Sequence, residues 1–211
     1  MFDLISRSDE LLQALHVKIS PSTLHLAHAK RLRFEISDPF GDESQLVFLY
    51  DAYARIKPLF EEQSFHLLRL DLHQPTHLTP YEDQQALWHQ IQLFCQQTTF
   101  PMPHDVRITK TNGETTMQCY WALDQLSLSL EPLLQEIVLA HTLTGYDLFA
   151  YSIYFMNQTL PLLFHLCDDT RLDVISTSHT ILLKTYELYL HWLHHDSLKE
   201  LDQLNLRSKA S

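Results

Sequence analysis

Glycine is nearly missing from this chain: Gly41, Gly113 and Gly145 are the only three in 211 residues. That scarcity removes the glycine-rich loops that bring a backbone close to phosphate groups, so neither a Walker nor a Rossmann nucleotide site is expected. Cysteine is equally sparse. Cys95, Cys119 and Cys167 stand far apart, with no Cys-x-x-Cys pair for zinc or redox chemistry, and each has apolar neighbours. They read as small buried hydrophobes in a reducing, cytoplasmic setting. Long apolar runs are lacking too, since a stretch such as Leu162 to Cys167 falls far short of the ~20 residues of a membrane span. Met1 to Leu15 intersperses Asp3, Arg7, Asp9 and Glu10 among apolar residues, the pattern of an ordinary helix and not of a secretory leader. No Pro-, Gly- or Ser-rich linker and no fixed-period repeat divides the chain. A single domain over residues 1–211 is expected, with any subdivision falling near 125–150.

Positive charge is the other shortage. Fifteen Lys and Arg face 26 Asp and Glu, a formal net charge of -11. Residues 61–150 hold 11 of the acids against Arg69, Arg107 and Lys110, contributing 3 - 11 = -8. A phosphate backbone demands a clustered basic face, which makes nucleic acid a poor partner. An acidic surface instead speeds capture of a basic protein, and it also keeps a chain soluble and monomeric.

The chain does have material for a core, being 45% apolar and 11% aromatic. Ser8 precedes the apolar-periodic Leu11, Leu12 and Leu15, which predicts a first helix capped there. Arg31 to Ile36 alternates polar and apolar, a strand with one buried face, ending at the turn cluster Asp38-Pro39-Phe40-Gly41. Ser44 to Glu62 carries a helical apolar face, with Pro58 expected to kink or end it. Leu68, Leu70 and Leu72 alternate with Arg69, Asp71 and His73, a second strand, and residues 73–80 read as a loop. Tyr81 to Gln97 reads as a helix with Leu87, Trp88, Ile91 and Phe94 inward. Asn112-Gly113 is the clearest local signal, because both residues of a type I′ turn need positive φ. A two-residue loop there puts Ile108 opposite Met117 and Val106 opposite Cys119 on one face, with Thr109 meeting Thr116 and Arg107 meeting Gln118 on the other.

A helix is expected over about 129–142, then three short strands, Tyr151 to Met156, Leu162 to Cys167 and Leu172 to Ser176, at the spacing of a meander. The middle strand is apolar on both faces apart from His165, which makes it central. A long helix from Ser178 to about His195 and a tail helix from Ser197 to Leu206 follow. Clustered strands and helices, without strict βαβ alternation, predict an α+β fold: an antiparallel sheet with a β-hairpin and a β-meander, and helices packed on one side.

Leu163 to Ile175, with its Asp168-Asp169-Thr170-Arg171 turn, and Tyr186-Glu187-x-Tyr189-x-x-Trp192 up to Asp196 resemble the uncharacterised bacterial domain of unknown function family three-eight-eight-five. Arg33-Phe34-Glu35 and Leu59-Phe60-Glu61-Glu62 are weaker echoes. Where that family usually has Arg-Gly, this chain has Thr170-Arg171, and it loses a glycine that takes positive φ without strain. The resemblance carries no established activity. It implies by analogy a small intracellular immunity partner of a co-encoded toxin.

Asp168, Asp169 and Asp173 form a compact carboxylate group beside strand ends, and Arg171 lies among them. Hard cations favour such oxygen ligands, although Asp is also a common turn residue because it bonds nearby backbone N–H groups. Two histidine clusters, His25-x-x-His28 and His191-x-x-His194-His195, have spacings that would put imidazoles on one helix face. His194 and His195 at a helix C-terminus have the simpler account of a favourable dipole contact, and no Glu stands in the metalloprotease position. The reading is therefore a non-enzymatic protein-binding module, an immunity-type inhibitor of a basic toxin, that needs no cofactor and contacts its partner through Asp168, Asp169, Arg171 and Asp173. The alternative is a metal-dependent phosphoesterase or nuclease using the same aspartates.

Overall fold

A computed structural model describes residues 3–20, 23–27, 29–35, 45–75, 80–111, 114–125, 150–166, 171–194 and 197. The helix expected at 129–142, the tail helix beyond Ser197, the Asp38 to Gly41 turn and the residues Asn112, Gly113 and Cys167 lie outside these. Among the described residues the fold is α+β. Four helices, α1 (Leu4–Ala14), α2 (Gln45–Glu61), α3 (Pro80–Thr98) and α4 (His179–Tyr189), accompany nine strands. Strands β1 (Val17–Ser20) and β2 (Thr23–Leu26) pair as a small antiparallel ribbon. The main sheet takes β3 (Lys30–Glu35), β4 (Leu67–Pro75), β5 (Asp105–Thr111), β6 (Glu114–Ala122), β7 (Ala150–Asn157), β8 (Leu162–Leu166) and β9 (Arg171–Ser176) in the order β3-β9-β8-β7-β4-β6-β5.

Every pairing in that sheet is antiparallel. The β5–β6 register is Ile108↔Met117, Val106↔Cys119, Thr109↔Thr116 and Arg107↔Gln118, as the alternation requires. β7, β8 and β9 form the meander, and β8 lies between its two neighbours.

Period-two alternation divides the sheet's side chains between two faces. On the first, Leu68, Leu70 and Leu72 of β4 join Met117, Cys119 and Trp121 of β6 and Phe155 and Phe164 of the meander, all essentially inaccessible to solvent. Three helices cover it, contributing Ile56, Leu59 and Phe60 from α2, Leu87 and Ile91 from α3, and Leu182, Tyr186 and Tyr189 from α4. Phe60 meets Phe155 and Phe164 edge-on at 4.6 and 5.2 Å between ring centroids, a geometry worth about 0.5–1.5 kcal/mol per pair beyond the buried area. Pro58 lies inside α2 and does not end it; Leu59 and Phe60, which follow it, are buried, and that burial outweighs the one backbone bond the ring removes. Trp88 departs from expectation and faces outward at 39% exposure. The stripe Leu87, Ile91, Cys95 sets the inward face of α3, and a residue one position from Leu87 is turned about 100° from it.

The second face corrects the expectation that all helices lie on one side. α1 and the β1–β2 ribbon pack there, where Leu4, Leu11, Leu12, Leu15 and Val17 bury Leu67, Tyr120, Ala122, Met156, Leu163 and Ile175. α1 also begins earlier than Ser8. Asp3 is its N-cap and accepts from the Ser6 backbone N–H, while the Leu4 N–H donates to the Asp105 carboxylate on β5 at 3.0 Å. Ser8 is buried within the helix, and its hydroxyl has no hydrogen-bond partner among the described residues. Glycine scarcity leaves a trace at two helix ends: His16 after α1 and Thr99 after α3 take positive φ, 53° and 56°, a conformation that costs a residue with a Cβ about 1–2 kcal/mol.

Candidate functional site

Beyond the strip covered by α1, the second face is polar, and the strand registers define its rows. One row crosses all seven strands: Arg33↔Asp173, Asp173↔His165, His165↔Tyr154, Tyr154↔Arg69, Arg69↔Tyr120 and Tyr120↔Asp105. The next row runs Ser152↔Asp71↔Gln118↔Arg107. These side chains share a face because they occupy alternate positions in paired strands.

Two ion pairs anchor the rows. Arg69 and Asp71, two residues apart on β4, are 2% and 1% exposed. Arg69 gives Nε and Nη2 to the two carboxylate oxygens at 2.6 and 2.7 Å, a side-on fork. Its guanidinium lies between the rings of Tyr120 and Tyr154, with Cζ 5.8 and 5.5 Å from the ring centroids. Burial opposes the charge on Arg69, but the Asp71 carboxylate outweighs it, with help from the two tyrosines, and holds the guanidinium firmly protonated. Burial in turn pushes the Tyr120 phenol up to about 12, so it stays neutral and donates to Gln118 Oε1 at 3.0 Å.

Asp173 is the centre of the second pair. It is 1% exposed, and its oxygens accept from Arg33 Nε and Nη2 at 2.6 and 2.8 Å, with Arg31 Nη1 at 3.5 Å. Farther out, Arg107 binds Asp9 of α1 through Nη1 and Nη2 at 2.7 and 3.0 Å and gives Nε to Gln118 Oε1 at 2.6 Å, tying helix to sheet. Tyr154 stacks on His165 at 4.6 Å between centroids. His73, one row beyond Asp71, lies 3.2 Å from Thr116 Oγ1 through Nδ1, and burial lowers its pKa.

Against this geometry the expected site residues fall unevenly. Asp168 and Asp169 lie outside the described residues. Arg171 sits on β9, half-buried and in register with Glu35. Asp173 is not at a turn surface; it is sealed under two arginines, so the described part of the acidic cluster serves an internal ion pair. Neither histidine cluster forms on a helix face. His25 belongs to strand β2, and α4 stops at Tyr189 with a 3-10 turn over Leu190–Trp192. The chain after that turn becomes extended, where Leu193 bridges Phe34 and the His194 N–H donates to the Arg33 carbonyl at 2.8 Å. His28 and His195 lie outside the described residues. Among the described residues no group of three His, Cys, Asp or Glu side chains is placed to hold a metal ion. Cys95 and Cys119 are buried, free thiols, and burial raises both, Cys95 to about 11. No described helix is long and apolar enough to cross a membrane.

Sequence reasoning passed over Arg33, Arg69, Asp71, Tyr120 and Tyr154. The legible signal was Arg69-x-Asp71, opposite charges at spacing two inside an otherwise leucine strand.

Compared with known families, residues 8–196 match the one described as Domain of unknown function (DUF3885). The chain belongs to that family. The match spans the sheet, both ion pairs and all four helices save the first residues of α1, so the polar face lies inside the DUF3885 region. No curated protein and no solved structure matches the chain.

Proposed function

We propose that this protein is a non-enzymatic binding module for a basic protein partner, of the kind an immunity-type inhibitor makes with a co-encoded toxin. The observation that carries the reading is where its positive charges go. Arg7, Arg31, Arg33, Lys57, Arg69, Arg107 and Lys184 each lie 2.6–3.7 Å from a carboxylate of the same chain. Those seven cations meet six carboxylates, Asp9, Glu61, Glu62, Asp71, Asp124 and Asp173, so 15 - 7 = 8 further Lys and Arg stand against 26 - 6 = 20 further Asp and Glu in the chain. In the surface pairs Arg7–Asp124, Arg107–Asp9 and Lys57–Glu61 the acid is the more exposed member, at 41%, 48% and 65%, while in Lys184–Glu62 it is the lysine. Such a surface attracts a basic partner and accelerates encounter in a salt-dependent way.

Catalysis by the aspartate cluster has less support, because Asp173 is buried and both its oxygens accept from Arg33, whose positive charge, with that of Arg31 nearby, repels a metal cation. Co-expression with the products of the adjacent open reading frames, followed by gel filtration at low and moderate salt, tests the proposal. A stable complex with a basic product, whose association rate falls as salt rises, is expected. No complex with any adjacent product at either salt, or millimolar Mg²⁺ binding that is lost in Asp169→Asn, would overturn it.

A further inference from the structure

We propose that Arg69 is the centre of an oxyanion-binding site on the second sheet face, selective for a carboxylate or phosphate group. A guanidinium carries five N–H groups in a rigid fork. Asp71 takes the side-on edge, Nε and Nη2. The end-on edge, formed by Nη1 and the second N–H of Nη2, has no acceptor among the described residues, although the side chain is only 3% exposed. An end-on edge of this kind matches a two-oxygen acceptor.

Three further observations shape the site. The rings of Tyr120 and Tyr154 on either side fix the plane of the guanidinium, so its free edge is held ready and little rotamer freedom remains to be lost on binding. Gln118, beside Asp71 in the adjacent row, has its Oε1 taken by Arg107 and Tyr120, which leaves its amide nitrogen as a donor. Asp71 occupies only part of the hydrogen-bonding capacity of Arg69. Donors therefore outnumber acceptors here, the balance an anionic oxygen group fits.

The test is thermal unfolding of the full chain in millimolar sodium phosphate, sodium succinate and sodium chloride at matched ionic strength. One of the two oxyanions should raise the midpoint saturably above chloride, and which one does so decides between phosphate and carboxylate. Arg69→Lys keeps a cation beside Asp71 but loses the fork, and should weaken the apparent dissociation constant about tenfold or more. The double substitution Arg69→Met with Asp71→Leu removes the buried pair without stranding a charge and should abolish the saturable rise. The proposal fails if neither oxyanion exceeds chloride, or if the same rise persists in Arg69→Lys or in the double variant.

Discussion

The two faces of the seven-stranded sheet are built from the same strands by different means. The first is Leu68, Leu70, Leu72, Trp121 and Phe155 under three helices, a core held by area and close packing. The second, one residue out of phase, carries beyond the α1 strip the pairs Arg69–Asp71 and Arg33–Asp173 and the two tyrosines that flank Arg69. Both are dry at their centres: Leu70 is 0% exposed and Asp71 is 1%. Equal burial therefore does not imply equal energetics. Apolar packing gains from every methylene, whereas a buried ion pair is expensive to break and contributes little net stability when intact.

Substitutions can separate the two. Phe155→Ala on the first face should cost about 3–5 kcal/mol through the cavity it leaves, measured by urea unfolding. Asp71→Ala on the second should cost a comparable amount, about 3–5 kcal/mol, for the opposite reason: it strands Arg69 without its counter-charge. A loss below 1 kcal/mol in Asp71→Ala would show that water reaches the guanidinium and that the second face is not dry. Ser178→Ala removes the side chain that accepts the Ile181 N–H at the start of α4, a helix that covers only the first face, and should cost about 1 kcal/mol. The smallest effect concerns pH. His73 has its pKa lowered by burial from an ordinary value of 6.5. The unfolded chain therefore binds the proton first as pH falls, so this stabilisation is present above 6.5 and is lost as pH drops from there toward the depressed folded value. His73→Gln should flatten the stability profile below 6.5, and an unchanged profile would remove His73 from the account.

What the sequence disclosed and what it hid follow the same division. The β5–β6 register was readable because alternation and an Asn-Gly turn specify pairing locally. β8 was readable as central because Leu162, Leu163, Phe164 and Leu166 are apolar on both sides. Hidden was the fate of Arg69, Asp71 and Asp173. Alternation says which residues share a face, but a charge facing water and one facing its counter-ion look identical in one dimension. Likewise α1 was expected on the same side as the other helices, and the strands of the β1–β2 ribbon were not anticipated, because an amphipathic segment shows that it covers something without showing what. The end of α4 at Tyr189 was missed for a related reason: the Tyr186, Tyr189, Leu193 spacing continues the helical period, yet Leu193 leaves the helix to bridge Phe34 on edge strand β3.

The claim that the buried charges of the second face are matched to each other is tested most directly by a double-mutant cycle on Arg69 and Asp71, read by urea unfolding. Each single removal, Arg69→Met or Asp71→Leu, should lose about 3–5 kcal/mol, while the double variant should return to within about 1 kcal/mol of the parent or exceed it. Additive losses, with the double variant as unstable as the sum of the singles, would contradict it.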